Sequence, residues 1–233
     1  MAREVTDQDI IMIDEMVAKA RKAAAVIETY DQETVDRLCR AIAAKLYDLK
    51  VWAELSDEAV DETGLGDKVT KRNKRNKLKL ILRDCLRQKS VGIIEENPEK
   101  GLVKYAKPVG VIASLVPTTN PCLTPAGQIL YAVKARDVII CSPHPRAKKV
   151  TMKCINIIRD VLVREGAPAD IIQGIEEPSI ALTQVLMQKC DLVIATGGRP
   201  MVKSAYSSGT PAYGSGAGNA TVIVDETADT AEK

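Results

Sequence analysis

The stretch Val109-Gly110-Val111-Ile112-Ala113-Ser114-Leu115-Val116-Pro117-Thr118-Thr119-Asn120-Pro121 decides how this chain is read. An apolar run of strand length stops at a proline, and a short polar turn follows. Residues 124–135 then carry a helical pattern, 138–141 form a second apolar run, and Ser142-Pro143-His144-Pro145 closes it. The alternation continues with an amphipathic helix over 147–165, stopped by Gly166 and Pro168, and a strand-like segment over 171–175. A helix over 179–188 leads to a strand over 192–195 that ends in Thr196-Gly197-Gly198. Strands alternating with helices of this length imply an α/β fold whose parallel sheet is covered on both faces. Ligands of such sheets gather outside the carboxyl ends of the strands. The loops that begin at Pro117, Ser142, Thr196 and Gly214 are therefore the candidate site, and Gly214-Ser215-Gly216-Ala217-Gly218-Asn219 opens a further apolar run over 222–224.

Upstream the period is that of helices. Thr6 or Asp7 caps a segment with Ile10, Ile13, Val17 and Ala20 on one face, and Asp31 caps another with Val35, Leu38, Cys39, Ile42 and Leu46. Trp52, Leu55 and Val60 continue into a third, ended by Gly64 and Gly66. Residues 68–89 hold ten Lys/Arg against the single Asp84. No aromatics are interleaved there for base stacking, and the net charge of the chain is only +2. The stretch therefore reads as the solvated face of a helix whose other side carries Leu78, Ile81, Leu82 and Cys85, and no nucleic-acid partner is expected. Two short strands, 91–95 and 102–106, flank the hairpin signal Asn97-Pro98-Glu99-Lys100-Gly101.

Composition sets the outer bounds. A chain of 233 residues with 45% hydrophobic and 27% charged residues can bury a core as one large or two small domains. Aromatics make up only 3%, so that core is built from aliphatic side chains. No apolar run is of bilayer length, and Met1-Ala2-Arg3-Glu4 opens no signal-peptide pattern, so no membrane partner is expected and a cytoplasmic location is. The six cysteines Cys39, Cys85, Cys122, Cys141, Cys154 and Cys190 show no CxxC spacing, which points to free thiols and no metal site.

Three loops carry the chemistry. Between two prolines, Asn120 is presented rigidly, suited either to donating to a developing oxyanion or to satisfying turn backbone. The only histidine, His144, stands at a strand end before a helix N-terminus with Arg146 and Lys148 near, a setting for phosphate or ribose contact rather than a triad. Thr196-Gly197-Gly198-Arg199-Pro200 is not GxGxxG, and by itself is either a weak dinucleotide signal or a plain strand-to-helix turn.

Taken in order, these segments resemble the CoA-acylating branch of the aldehyde dehydrogenase superfamily, including the N-terminal half of bifunctional aldehyde–alcohol dehydrogenases. The resemblance is carried by Val91-Gly92-Ile93-Ile94, Ala106-Lys107-Pro108-Val109-Gly110-Val111, Pro117-Thr118-Thr119-Asn120-Pro121 and Ser142-Pro143-His144-Pro145-Arg146-Ala147-Lys148. It continues through Ala195-Thr196-Gly197-Gly198, Val202-Lys203-Ser204-Ala205-Tyr206-Ser207-Ser208-Gly209, Gly214-Ser215-Gly216-Ala217-Gly218-Asn219 and Val224-Asp225-Glu226-Thr227-Ala228-Asp229. It implies a Rossmann-type sheet with N-terminal helices over 1–90, an oligomerisation hairpin over 91–108, and an NAD(P)-binding part over 109–233. By the same resemblance, Asn120 supplies the oxyanion-hole amide and Pro117 and Thr118 flank the nicotinamide. Ser142, Pro143, His144 and Arg146 face the adenosine ribose and phosphates, and Thr196, Gly197, Gly198 and Gly216 the pyrophosphate side. Gly214 stands where hydrolytic relatives carry a water-activating glutamate, which leaves the thioester to CoA.

The family's nucleophilic cysteine lies beyond the segment that ends at Lys233, and Cys122, beside Asn120, reads as packing rather than as a substitute. The expected reaction is aldehyde + CoA + NAD(P)+ to acyl-CoA + NAD(P)H, with this chain as the cofactor-binding half of a homo-oligomer, inactive alone. A bacterial microcompartment is the other location the resemblance allows. The alternative is a non-catalytic cofactor-binding or assembly subunit that works with a partner chain. The resemblance leaves the aldehyde, and the choice of NAD or NADP, open.

Overall fold

A computed structural model describes residues 5–219 and 221–228; Met1, Ala2, Arg3, Glu4, Asp229 and Lys233 lie outside them. Helix α1 (Asp7–Ile27) begins at a capping box in which Asp9 N–H donates to the Thr6 hydroxyl and Thr6 N–H to the Asp9 carboxylate. Asp31 caps α2 (Gln32–Tyr47) by accepting the Thr34 N–H at 2.8 Å. This helix buries Leu38, Ile42 and Leu46 completely, each worth about 1.5–3 kcal/mol by removal from water. Helix α3 (Leu49–Thr63) stops at Gly64, whose φ of +66° favours glycine.

The basic stretch departs from expectation by forming two helices, α4 (Lys68–Asn73) and α5 (Arg75–Arg87), instead of one. The cause lies in α3. The Trp52 indole N–H donates to the Lys71 carbonyl at 3.3 Å, the oxygen a continuous helix would offer to Arg75. The outer charges behave as a solvated face: Lys68 pairs with Asp61, Arg72 with Asp57, and Arg75 and Lys79 lie 4.3 and 4.5 Å from the centre of the Tyr47 ring. Lys71, by contrast, is buried.

Among the described residues, strands β1 (Gly92–Asn97) and β2 (Leu102–Ala106) pair antiparallel with each other alone. The main sheet joins β3 (Val111–Val116), β4 (Val138–Pro143), β5 (Ile172–Gly174), β6 (Leu192–Thr196) and β7 (Ala212–Ser215). Its order is β5-β4-β3-β6-β7 and every pairing is parallel. The chain moves outward from β3 through β4 to β5, then returns across β3 to β6 and moves the other way. With right-handed crossovers, that reversal puts α6 (Leu123–Ala135) and α7 (Lys148–Arg164) on one face and α8 (Ile180–Lys189) and α9 (Arg199–Tyr206) on the other. Helices α2 and α5 pack on α6, and α1 packs on α8, so the N-terminal helices share one core with the sheet.

Strand β7 has no apolar run to announce it; Ala212-Tyr213-Gly214-Ser215 pairs because its backbone lies beside β6. The run expected at 222–224 forms no strand, and Val222, Ile223 and Val224 are 77%, 89% and 63% exposed. Among the described residues no strand or helix buries those side chains.

Two aspartates set where β3 starts. Asp137, the residue before β4, accepts the N–H groups of Val109 and Gly110 at 2.6 and 2.9 Å. Asp191, the residue before β6, accepts the Val111 N–H at 2.7 Å and is held by Arg21. Gly110, at φ +122°, lies so close to the Asp191 carboxylate that a Cβ would collide with it. Burial pushes the Asp137 carboxyl up to about 6, against the pull of its two backbone donors and Arg136. A pKa raised by folding means that the protonated form supports the fold and that support is lost as pH rises from the free value through about 6. Asp137→Asn keeps an oxygen acceptor without the charge. Thermal melts across pH are expected to show the variant losing less stability than the parent between about pH 4 and 6.

Candidate functional site

The strand ends converge on a cavity of about 530 Å³. Its floor is the carboxyl end of β3 and β4, with Leu115, Val116, Pro117 and Thr118 on one side and Ser142, Pro143 and His144 on the other. The turn Thr196-Gly197-Gly198 and the segment Ser215-Gly216-Ala217 close it from β6 and β7, and Ile180 and Met201 add apolar walls. The opening lies at the β3/β6 switch point, where the sheet order reverses.

Helix N-termini around this cavity differ in what satisfies them. The Ser179 hydroxyl accepts the Leu182 N–H and caps α8. The Glu62 carboxylate, reaching across from α3, accepts the Lys149 and Val150 N–H groups at 2.9 and 2.8 Å and so occupies the start of α7. Helix α9 has Gly198 as its N-cap and no side-chain cap. Pro200 has no N–H, so the Arg199 and Met201 amides of this helix's first turn are the ones left for an anion. A Cβ built on Gly197 or Gly198 would meet its nearest atoms at 3.6 and 3.7 Å, ordinary contact. Packing does not require glycine at either position, whereas close approach of a ligand to the backbone would.

Polar groups beneath the cavity are fixed by relays. Thr183 donates to the Ser179 carbonyl at 2.8 Å, so the Ser142 hydroxyl donates to Thr183 at 2.8 Å and keeps its lone pairs. Ser114 is bonded to the Gln128 carbonyl oxygen, and the Gln128 amide reaches Thr196 Oγ1 at 3.4 Å. The Arg146 N–H donates to His144 Nδ1 at 3.1 Å, which places the imidazole proton on Nε2. Burial and the Arg146 charge lower the pKa of His144, which keeps the ring neutral near pH 7.

Of the residues proposed from sequence, Pro117, Thr118, Ser142, Pro143, His144, Thr196, Gly197, Gly198 and Gly216 all line this cavity. Arg146 does not: its guanidinium donates to the Thr63 carbonyl at 3.1 Å, at the end of α3. Lys148, expected beside it as a phosphate contact, pairs with Glu177. The protein's own acceptors satisfy the α7 end, a long-range effect that local spacing does not reveal. Asn120 stands outside the large cavity, on a second one of about 20 Å³ shared with Trp52, Lys71, Lys74 and Cys122. Its backbone oxygen accepts the Thr124 N–H at the start of α6, while its side-chain Oδ1 accepts the Lys74 ammonium at 2.6 Å. The carboxamide is thereby oriented with its oxygen engaged and its N–H₂ as the end left to donate. Sequence reasoning missed both lysines; their i, i+3 spacing was the available signal.

All six cysteines are buried and free. Burial pushes Cys39, Cys141 and Cys190 up to about 12 and Cys85 up to about 11. Cys122 donates to the Leu55 carbonyl at 3.8 Å and is a packing residue. Among the described residues no group of three metal-ligating side chains converges, and no helix is long and apolar enough to cross a membrane.

The aldehyde dehydrogenase family model matches residues 2–233. A sulfoacetaldehyde dehydrogenase from an Acholeplasma species is 46% identical over 94% of this chain and 45% of its own length. An acetylating succinate-semialdehyde dehydrogenase from Clostridium kluyveri is 45% identical over 93% of this chain and 48% of its own. An acetylating aldehyde dehydrogenase from Geobacillus thermoglucosidasius has a crystal structure that superposes with a TM-score of 0.87 at 36% identity, covering 91% of this chain and 47% of that one. The chain thus spans about half the length of the curated relatives it matches.

Gly214 is a packing glycine, unlike Gly197 and Gly198. A Cβ there would lie 2.5 Å from Val202 Cγ1 and 2.9 Å from the Tyr206 ring, and its N–H donates to the Tyr206 hydroxyl at 3.0 Å. Gly214→Ala is expected to cost about 1–3 kcal/mol by forcing α9 off β7. Gly216→Ala, with nothing within 4 Å, is expected to melt with the parent protein. Paired denaturation curves check both.

Proposed function

The chain belongs to the aldehyde dehydrogenase family, and on that premise we propose that it is the NAD(P)-binding part of a CoA-acylating aldehyde dehydrogenase. The observation that carries this reading is the open N-terminus of α9 beneath the Thr196-Gly197-Gly198 turn, set in an apolar cavity at the switch point. A dinucleotide fits the residues present. Its pyrophosphate would meet the α9 amides and the glycine turn, while Ser142 and neutral His144 offer an acceptor and an Nε2 donor to a ribose. The walls from Leu115, Val116, Ile180 and Met201 suit flat apolar rings.

When bound, the dinucleotide would accept hydride from the substrate carbon. This chain's part is to bind, orient and polarise. Thr118 and Pro117 would set the nicotinamide end, while Gln128 holds Thr196 in place on the pyrophosphate side. With its oxygen tied to Lys74, Asn120 directs its N–H₂ at the substrate carbonyl oxygen and stabilises charge that develops there. The described residues place no thiol on the large cavity. The reading therefore assigns the nucleophile to the portion of the relatives that this chain does not span, and aldehyde and CoA are the substrates of that whole enzyme. Gly214, where hydrolytic relatives carry a glutamate, leaves no room for one, since Val202 and Tyr206 fill the space.

Association in pairs or higher assemblies would use the 91–108 hairpin. A two-stranded ribbon is marginal alone in water, and this one exposes Ile94, Leu102, Val103 and Tyr105. Leu102→Glu with Tyr105→Glu is expected to shift the light-scattering mass to that of a monomer, with far-UV circular dichroism unchanged.

The direct test is a titration of the chain with NADH and NADPH followed by nicotinamide fluorescence. Saturable binding is expected, weakened about tenfold or more in Gly198→Val with the melting temperature preserved. Absence of binding to either dinucleotide would sink the reading.

A further inference from the structure

Two lysines of the basic stretch behave unlike their neighbours. Lys68 and Arg72 are paired with Asp61 and Asp57 on the outer face, and Arg75 lies over Tyr47. Lys71 and Lys74, three residues apart, turn inward. Lys71 is only 7% exposed, and its ammonium donates to the Thr119 carbonyl at 3.3 Å. Lys74 donates to Asn120 Oδ1 at 2.6 Å. Both line the small cavity with Asn120, and neither makes an ion pair among the described residues.

This arrangement is electrostatically incomplete. A buried ammonium costs several kcal/mol unless a counter-charge meets it, and the two oxygens that these lysines hold are neutral. Burial and the Lys74 charge together lower the pKa of Lys71. Nearby carboxylates are spent elsewhere: Asp57 and Asp61 on the outer cations, and Glu54 and Glu58 on Lys153. Two positive charges thus flank the one amide aimed at the reacting carbonyl. The cavity, about 20 Å³, has room for about one oxygen atom.

Resting on the reading of Asn120 as the oxyanion amide, the geometry points to an anion subsite at Lys71 and Lys74 that takes the negatively charged end of the aldehyde substrate. The substrate class is a short aldehyde bearing a carboxylate or a sulfonate. One oxygen of that group enters the cavity mouth, displaces water, and supplies the missing counter-charge. Such charge-assisted contacts are about twice as strong as neutral ones, so the site discriminates against uncharged aldehydes of the same length.

Trp52 provides the readout, because it is the chain's only tryptophan, lines the same cavity and is bonded to the Lys71 carbonyl. The chain is titrated at constant ionic strength with ethanesulfonate, with butyrate, and with uncharged butanamide. A saturable change in Trp52 emission is expected with at least one of the two anions and none with butanamide; comparing the anions identifies the preferred end group. Lys74→Gln is expected to weaken that binding about tenfold or more, while Lys68→Gln, on the outer face, leaves it unchanged. In the enzyme that contains this chain, the ratio of kcat/KM for the anionic over the uncharged aldehyde is expected to fall about tenfold in Lys74→Gln.

No saturable response, an equal response to butanamide, or unchanged anion binding in Lys74→Gln overturns the subsite. Lys74 is the main probe because it is less buried than Lys71, and a melting curve of each variant confirms that it is folded. A dinucleotide titration of the same sample separates the two ideas. Retained dinucleotide binding without an anion response removes the subsite alone, whereas an anion response without dinucleotide binding removes the reading on which the substrate assignment rests.

Discussion

Two carboxylates at the amino end of the sheet hold the rest of the structure in register. Asp137 and Asp191 each sit one residue before a strand that flanks β3, and between them they accept the N–H groups of Val109, Gly110 and Val111. The central strand is thereby locked to both neighbours at its first residues, with Val111 opposite Val138 and Ile112 opposite Leu192. A slip of one residue in β3 would leave those partly buried amides without their partners, at up to about 1–3 kcal/mol each. It would also move Pro117 and Thr118 relative to Ser142 and Gly198. The position of the cavity at one end of the sheet thus depends on hydrogen bonds at the other.

At the carboxyl end, competition among helix N-termini organises the site. Three helices begin near the cavity, and each offers partial positive charge. Ser179 and Glu62 neutralise two of them from within the protein. Helix α9 has no side-chain cap, so its first turn is the one of the three that the protein's own side chains leave unsatisfied. The same logic recurs on a smaller scale around Asn120, where the acceptor oxygen is engaged by Lys74 and the donor end is left available.

Much of this was legible from residues alone because it depends on local pattern. The alternation of apolar runs and helical periods along 109–196 announces β3 to β6 and their helices, and the caps at Thr6, Asp31 and Gly64 fall where short-range hydrogen bonding demands them. Strand β7 was not legible, since Ala212-Tyr213-Gly214-Ser215 has neither alternation nor bulk and forms only because β6 offers it an edge. At 222–224 the apolar run forms no strand, because among the described residues no element buries Val222, Ile223 and Val224. The break between α4 and α5 was equally hidden, because it is made by an indole N–H nineteen positions away in sequence.

The sequence by itself determined the α/β class, the alternation of elements from β3 to β6, the turn glycines and most of the loops that line the large cavity, all of which follow from periodicity and from backbone preferences within a few residues. Tertiary structure alone decided which polar groups at those loops are free to act. Arg146 faces Thr63, Glu62 occupies the α7 amides, and Lys71 and Lys74 turn toward Asn120, through contacts spanning 46 to 88 positions in sequence. A charge is available to a ligand only if no other part of the chain reaches it first, and that is settled by packing in three dimensions.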